Sequence, residues 1–365
     1  MTQAYNIFWA KCVIIVLFGA ALVQVCKSFV LIKGDILING SVQKPQTDSQ
    51  RSKRNAVTDR KKIWDFGIVP YEIDPKANFD ENQISNVKAA MIQWENSTCI
   101  KFVERNENEH ENFIRFTDYE DTCSCCSFVG KKGGAQDVVI GGCDKIGIVH
   151  ELGHVIGFHH EHQRPDRDEF VEIKWERMED ESSAYNYAKL SPDEADTLNE
   201  PYDFESIMHY TQTAFSILGD LNFLIQNMGY ARFHGRNWSL ADISVISAKK
   251  DKDGIVPKIP ERKTKKTLSA IDIKKTNKLY KCPDCGRTYL EEAAFEETAY
   301  TSPEYHNRST NRTYRCEWRI IVMDRERIQL KINDLDIFES SDCKSDYLEV
   351  RDGYLHNAPL LGRFC

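Results

Sequence analysis

The chain has 365 residues, of which 41% are hydrophobic and 28% are charged, so it is long enough for two globular domains. Its formal net charge of -8 excludes the strongly basic overall character typical of proteins that bind nucleic acids or acidic membranes.

The N-terminal segment is typical of a secretory signal peptide. Lys11 precedes an uncharged run from Cys12 to Val25, and Lys27 restores the charge. This run is shorter than the roughly 20 residues that a membrane-spanning helix needs. We therefore predict a signal peptide at residues 1–26, secretion to the extracellular space and no membrane anchor. A short signal anchor or a buried helix are the alternatives.

The cysteine content agrees with secretion. Two of the twelve cysteines lie in or beside the signal, and an even set of ten in an extracellular chain indicates five disulfides. Five N-glycosylation sequons are compatible with the same compartment and predict a glycoprotein. They begin at Asn39, Asn96, Asn237, Asn307 and Asn311.

Residues 27–54 form a polar segment that ends in Arg51-Ser52-Lys53-Arg54. We interpret this segment as a propeptide and the dibasic run as the cleavage site of a proprotein convertase, which would be a partner of the chain. The mature protein would then begin at Asn55. The alternative is a solvated charge cluster.

The next region mixes helix and strand patterns. Apolar runs at 68–73 and 113–116 predict strands, and apolar residues at helical spacing predict a helix over 82–98. After Cys285 the pattern changes to short alternating strands at 319–322, 328–332 and 347–350, which is typical of a β-sandwich. We place the boundary at 281–285 and predict an α+β domain followed by an all-β domain.

One short stretch contains the residues of a zinc site. His150 and His154 are four residues apart, so they share one face of a helix and can bind one metal ion, with Glu151 beside it as general base. Gly157 permits the left-handed turn that brings His160 back as the third ligand. Three imidazoles leave an open position, as in catalytic rather than structural zinc sites.

The extended pattern HELGHVIGFHHEHQRPDRD, from 150 to 168, is a metzincin signature. It resembles the signature of the astacin family, and Ser206-Ile207-Met208-His209-Tyr210 resembles the Met-turn of that family. The resemblance implies that Met208 lies beneath one catalytic zinc ion and that Tyr210 is a switchable ligand. It also implies that Glu161 is linked through water to the new N-terminal ammonium of Asn55.

The propeptide offers a further resemblance. Ile32-Lys33-Gly34-Asp35 is similar to the motif of astacin propeptides whose aspartate occupies the open position on zinc in the zymogen. Asp35 is therefore the expected inhibitory ligand, with a simple surface turn as the alternative.

The stretch Cys123-Ser124-Cys125-Cys126 resembles the cysteine-rich loop of the tolloid and procollagen C-proteinase subfamily. The resemblance implies the disulfides Cys99–Cys282, Cys123–Cys143 and Cys125–Cys126, against the alternative of a four-cysteine zinc knot. It also implies a preference for an acidic residue after the scissile bond, selected by Lys145 and Arg262.

Residues 285–365 resemble an incomplete CUB domain. The resemblance implies the disulfides Cys285–Cys316 and Cys343–Cys365, and a calcium site formed by Glu339 and Asp346, oxygen ligands of the kind that calcium prefers. Two solvated surface acids are the alternative. We interpret this domain as an exosite for substrate or matrix.

Together these features predict a secreted, tolloid-like zinc endopeptidase with a signal peptide (1–26), a propeptide (27–54), a protease domain (55–282) and a truncated CUB domain (285–365). Expected substrates are procollagen-like matrix precursors and chordin-like growth-factor antagonists. The chain also carries an extra segment at 218–244, either a surface loop or an error in the coding sequence, and we expect it to be a fragment of a longer protease. The rivals are a non-catalytic CUB-containing binding protein and a structural zinc protein.

Overall fold

A computed structural model describes ten regions of the chain, and the account below concerns these alone. They are residues 30–33, 35–39, 56–118, 123–217, 231–233, 236–261, 267–285, 288–290, 315–321 and 327–365, the last without 333–334, 336–340, 345 and 353–357.

The helices begin at polar caps. Asp80 accepts a hydrogen bond from Gln83 N at 2.7 Å, and Asp144 accepts one from Gly147 N at 2.7 Å, so each satisfies a free backbone donor of a first turn. The α-helices are α1 (Glu81–Ser97), α2 (Lys145–Ile156), α3 (Glu181–Asn186), α4 (Leu240–Ile243) and α5 (Ala270–Leu279).

The strands are short. In chain order they are β1 (Val30–Lys33), β2 (Ile36–Asn39), β3 (Ala56–Val57), β4 (Ile68–Ile73), β5 (Lys101–Glu104), β6 (Phe113–Thr117), β7 (Cys126–Phe128), β8 (Ala135–Val139), β9 (Val171–Ile173), β10 (Ala195–Asp196), β11 (Ala231–Phe233), β12 (Arg236–Trp238), β13 (Ile246–Ala248), β14 (Thr288–Leu290), β15 (Arg319–Ile321), β16 (Leu348–Arg351) and β17 (Leu360–Phe364).

One mixed sheet of seven strands, in the order β1-β2-β7-β8-β6-β4-β5, carries the first half of the protease part. Helices α1 and α2 pack together in the core beside it, with Val87, Ala90 and Trp94 of α1 fully buried. Trp94 donates its indole N–H to Val149 O in α2 at 3.1 Å, so the polar atom of this buried ring is satisfied. The sheet and α1 thereby hold α2 in a fixed position.

A second, smaller core lies in the chain after α2. It contains Val171, Tyr187, Tyr210 and Ile246, and the antiparallel pair of β9 and β13 closes it. Ile243 of α4, at the end of the extra segment, is 1% exposed, and its carbonyl oxygen accepts a hydrogen bond from Ser216 Oγ at 2.8 Å. Residues 218–230 of that segment lie outside the described residues.

Residues 30–33 and 35–39, which we predicted to belong to a propeptide, form regular structure. Strands β1 and β2 form a hairpin, and β2 pairs in parallel with β7, with Ile36 opposite Ser127. Ile36 and Leu37 are buried, which explains why these apolar residues extend the sheet. Strand β2 therefore covers an edge that β7 would otherwise expose.

The cysteine-rich loop is paired differently from the pattern that the resemblance implies. Cys123 is bonded to Cys126 and Cys125 to Cys143, so the expected pairs Cys123–Cys143 and Cys125–Cys126 are wrong. Neighbouring Cα atoms are about 3.8 Å apart across a trans peptide, which is shorter than disulfides ordinarily span. Cys125 and Cys143, with Cα atoms 5.3 Å apart, satisfy that span.

The other three expected disulfides are present. They join Cys99 to Cys282, Cys285 to Cys316 and Cys343 to Cys365. The first closes a loop of 183 residues and ties the end of α1 to the chain after α5.

The CUB part contains the predicted strands near 319 and 348, but residues 328–332 lie in no strand. Ile328 and Leu330 are each 49% exposed, because no strand among the described residues covers them. Of the helices that the structure describes, none combines the length and apolar character needed to cross a membrane.

Gly157 ends α2 with φ at 118°, and a Cβ there would lie 2.9 Å from Cγ2 of Val57. We expect Gly157→Ala to lower the free energy of unfolding by about 1–3 kcal/mol through backbone strain and this contact, as measured by urea denaturation. Gly254→Ala is the matched control, because φ is also positive (81°) but a Cβ would meet no atom within 4 Å. An equal loss in the two variants would show that the contact with Val57 contributes nothing.

Candidate metal centre

The first two histidines lie on the buried C-terminal part of α2. His154 is fully buried and His150 is partly buried, one turn earlier on the same face. Gly157 then ends the helix, and Phe158 N donates to Gly153 O at 3.1 Å. The chain returns across the helix end, and His160, 1% exposed, lies beside the first two rings.

The three Nε2 atoms converge on one point. His154 Nε2 lies 3.2 Å from His160 Nε2, and His160 Nε2 lies 3.3 Å from His150 Nε2. Ligand nitrogens of a tetrahedral zinc ion at about 2.0–2.1 Å are separated by roughly 3.3 Å. The spacing of these nitrogens therefore fits zinc.

The hydrogen bonds of the other ring nitrogens support this fit. His150 Nδ1 lies 2.7 Å from Ile207 O, and His154 Nδ1 lies 2.7 Å from Phe158 O. Because a carbonyl oxygen only accepts, each Nδ1 must carry the proton of the neutral ring, which leaves the lone pair on Nε2. Lone pairs that face one another repel unless a cation lies between them.

Burial keeps these rings neutral. Desolvation lowers the pKa of His160 to about 4, against the opposing effect of Asp35, and burial also lowers the pKa of His154. Neutral imidazole is the form that binds a metal ion, so no proton has to leave these two rings at neutral pH.

Asp35 reaches the same point from the propeptide. Its carboxylate oxygens lie 3.0 Å from His150 Nε2, 2.9 Å from His160 Nε2 and 3.6 Å from His154 Nε2. Burial raises the pKa of Asp35, but its interaction with the three histidine rings, His160 above all, holds the pKa well below the ordinary value. Ser127 N donates to Asp35 O at 3.0 Å, which fixes the carboxylate over the histidines.

Glu151 is next to the first histidine and 1% exposed. The hydroxyl of Ser127, on β7, lies 2.8 Å from Glu151 Oε2 and 3.0 Å from Glu151 O. Sulfur Sγ of Cys125 lies 3.4 Å from Oε1. These contacts from β7 and from the residue before it orient the carboxylate toward the cleft.

The cleft beside the histidines has a volume of about 310 Å³. Among its lining residues are Asp35, His150, Glu151, Ile146, Tyr210 and Phe215. The site therefore opens on a mostly apolar cavity in which a substrate side chain could lie.

Met208 lies against α2, and Tyr210 lies beside the histidines. A Cβ at Gly153 would overlap Sδ of Met208, so the glycine allows this side chain to lie directly against α2. The ring of Tyr210 lies 4.4 Å from that of His160 and 4.2 Å from that of His162, between ring centroids. Burial raises the pKa of Tyr210 well above its ordinary value, so its hydroxyl keeps its proton.

The remaining predicted site residues either do not line the cleft or lie outside the described residues. Lys145 is exposed at the start of α2, and the adjacent Ile146, rather than Lys145, lines the cleft. Asp346 is exposed in the CUB part. Arg54, Asn55, Arg262 and Glu339 lie outside the described residues, as does the signal peptide.

The sequence analysis missed Ser127 and Lys275, which contact Glu151 and Glu161. Neither residue has a local sequence signal, because each contact joins positions distant in the chain. His162 was also missed, although it belongs to the signature stretch. It is fully buried, and its Nε2 lies 3.1 Å from Asn186 O.

We expect His160→Ala to weaken zinc binding by more than about 100-fold, the upper end of what loss of an outer-shell partner costs, because a direct ligand is removed. Competition with a fluorescent chelator measures the zinc Kd. His162→Ala is the control, since Nε2 of that ring is directed to Asn186 O. Equal zinc affinity in His160→Ala and the parent would remove His160 from the site.

Comparisons with known proteins agree with this geometry. The family model of the astacin peptidases matches residues 56–250, and the CUB domain model matches residues 285–365. The chain is 45% identical over 316 residues to a bone morphogenetic protein 1 homolog of Strongylocentrotus purpuratus, which covers 85% of this chain and 44% of the relative. It is 42% identical over 323 residues to tolloid-like protein 1 of Homo sapiens, which covers 88% of this chain and 28% of the relative.

A similar solved structure is that of high choriolytic enzyme 1, a hatching enzyme zinc-protease from Oryzias latipes. It is 32% identical, covers 61% of this chain and 92% of that chain, and has a TM-score of 0.46. The chain spans less than half of the length of the two curated relatives above. On the match of the family model to more than half of its residues, this chain belongs to the astacin family of peptidases and carries a CUB domain.

Proposed function

We propose that the chain is a zinc endopeptidase of the tolloid type, with His150, His154 and His160 as ligands and Glu151 as general base. The observation that carries this proposal is the convergence of three Nε2 atoms beside a carboxylate, at the edge of an apolar cleft. Membership of a peptidase family supports it.

The chemistry follows from this arrangement. Bound zinc supplies a Lewis acid and lowers the pKa of a water molecule toward about 7. Glu151 accepts the proton of the attacking water, and Ser127 keeps its carboxylate in place. Tyr210 remains protonated and donates a hydrogen bond to the oxygen that becomes negative in the transition state.

The position of Asp35 supports the proposal that the chain is made as a zymogen. Its carboxylate lies where a substrate or water would approach the histidines, and β2 lies along β7. We propose that cleavage after Arg54 by a proprotein convertase releases this blocker and makes Asn55 the new N-terminus. In the astacin pattern that terminus is linked to Glu161.

The substrates we propose are extracellular proteins of the kinds that the resemblance implies, procollagen-like precursors and chordin-like antagonists. Similarity to proteins named for bone morphogenesis and for tolloid supports this class. Lys145 and Arg262 remain the proposed selectors of an acidic residue after the scissile bond. Lys145 lies next to a residue of the cleft, which supports its assignment.

The remaining assignments belong to the same proposal. Secretion requires the signal peptide at 1–26, and the protease and CUB domains extend over 55–282 and 285–365. The CUB domain would act as an exosite, with Glu339 and Asp346 as its calcium ligands.

A non-catalytic binding protein is the rival function. It would not need a carboxylate beside the metal ligands, and the buried Glu151 argues against it. A structural zinc site is also disfavoured, because three protein ligands leave the fourth position open once Asp35 is removed.

We expect Glu151→Gln to retain zinc but lose peptide cleavage by at least about 100-fold, because an amide cannot accept the proton of water. A fluorogenic peptide assay on the convertase-processed chain, with metal analysis of the same sample, measures both. Lys88→Ala, an exposed position on α1 outside the lining of the cleft, is the control for handling. Cleavage at the parental rate by Glu151→Gln would reject the general base.

The latency of the zymogen can be tested without processing. We expect Arg54→Ala to give a secreted, uncleaved chain of low activity, and Asp35→Ala in that background to raise the activity, because the carboxylate no longer competes for the metal. The rate of peptide hydrolysis by each purified chain measures this. An uncleaved chain that is fully active with Asp35 intact would overturn the role of this aspartate.

A further inference from the structure

A cluster of buried charges lies directly after the third histidine. Glu161 is 1% exposed, and Arg164 and Lys275 are each 2% exposed. Lys275 Nζ lies 2.8 Å from Glu161 Oε1 and 2.6 Å from Oε2. Arg164 Nη1 donates to Oε1 at 2.9 Å. Glu161 is thus held by two cations of the chain itself, one close to it in sequence and one 114 residues away.

Helix α5 presents Lys275 beside a second buried group. Asp272, three residues earlier and therefore on the same face, accepts hydrogen bonds from Ser206 Oγ at 2.6 Å and from Ile207 N at 2.9 Å. Ile207 O is in turn the acceptor for His150. One face of α5 therefore supports both the Met-turn and the segment of the third histidine.

Glu161 transmits this support to the ligand. Its amide N–H donates to Met208 O at 3.0 Å, and its Oε1 accepts from Asp203 N at 3.0 Å. Since His160 is the preceding residue, any shift of Glu161 displaces the ligand ring.

Burial distinguishes Lys275, which is paired with the buried Glu161, from the adjacent and exposed Lys274. A carboxylate removed from water is strongly destabilising unless a cation pairs with it. Arg164 also donates to Asp166 from Nε and Nη2, at 2.9 Å each, so loss of Lys275 leaves two buried carboxylates to share one guanidinium.

Lys274, the neighbour of Lys275, has a side chain that is 62% exposed and pairs with Glu200. Lys278 also pairs with Glu200, so this carboxylate keeps a cation when Lys274 is lost.

We propose that Lys275 is a positioning residue, which neutralises Glu161 from within the uncleaved chain and thereby fixes His160 for zinc. The inference rests on the proposed zinc site and goes beyond it. The counter-charge of Glu161 comes from α5, so the metal centre assembles before a new N-terminus exists at residue 55.

The test uses the full chain with Arg54→Ala, so that no new terminus forms. In this background we expect Lys275→Met to raise the zinc Kd by about 10-fold to 100-fold, as loss of an outer-shell partner does, and to lower the urea midpoint of the metal-free chain. Lys274→Met, the adjacent and exposed lysine, should change neither value.

A double variant separates charge pairing from packing. Lys275→Met combined with Glu161→Gln removes both charges of this pair and leaves Arg164 paired with Asp166. We therefore expect it to be more stable and to bind zinc more tightly than Lys275→Met. If Lys275→Met does not fold, a folded double variant supports the proposal equally.

Two results would overturn the inference. One is a parental zinc Kd and urea midpoint in Lys275→Met. The other is a double variant no better than Lys275→Met. If the parent chain bound no zinc, the proposed function would be contradicted, whereas the unfolding measurements would still decide whether Lys275 neutralises Glu161.

Discussion

Two backbone carbonyls fix the protons of the metal-binding histidines, and the chemistry of the cleft depends on this constraint. Ile207 O and Phe158 O accept from Nδ1 of His150 and His154, so the lone pairs of both rings are directed inward. Buried lone pairs that face one another and a carboxylate repel without a cation. The polypeptide thus creates a strong local requirement for a metal ion at this point.

The surrounding elements hold this arrangement from three sides. Helix α2 sets the spacing of the first two rings, and the bend at Gly157 returns the third. From another side, α5 anchors the Met-turn through Asp272 and the third-histidine segment through Lys275. Asp35, the residue before β2, completes the site from the third side, and β2 adds to the sheet edge at β7.

Local patterns predicted the parts of the site that are local in sequence. The stretch 150–160 determines its own helix and bend, and a short motif indicated Asp35. Ser127 and Lys275 could not be predicted, because their contacts join residues 24 and 114 positions apart, and only the tertiary fold brings them together. The predicted partner of Cys125 was wrong. This residue is bonded to Cys143, 18 positions away, and only the tertiary fold determines which sulfur atoms come within reach of one another.

The most direct test of the account is the zinc K-edge absorption spectrum of the purified, convertase-processed chain. We expect this spectrum to show one zinc ion per chain with a first shell of nitrogen and oxygen at about 2.0–2.1 Å, in which three of the ligands are imidazoles. A chain that holds no zinc, or a first shell with sulfur at about 2.3 Å, would contradict it.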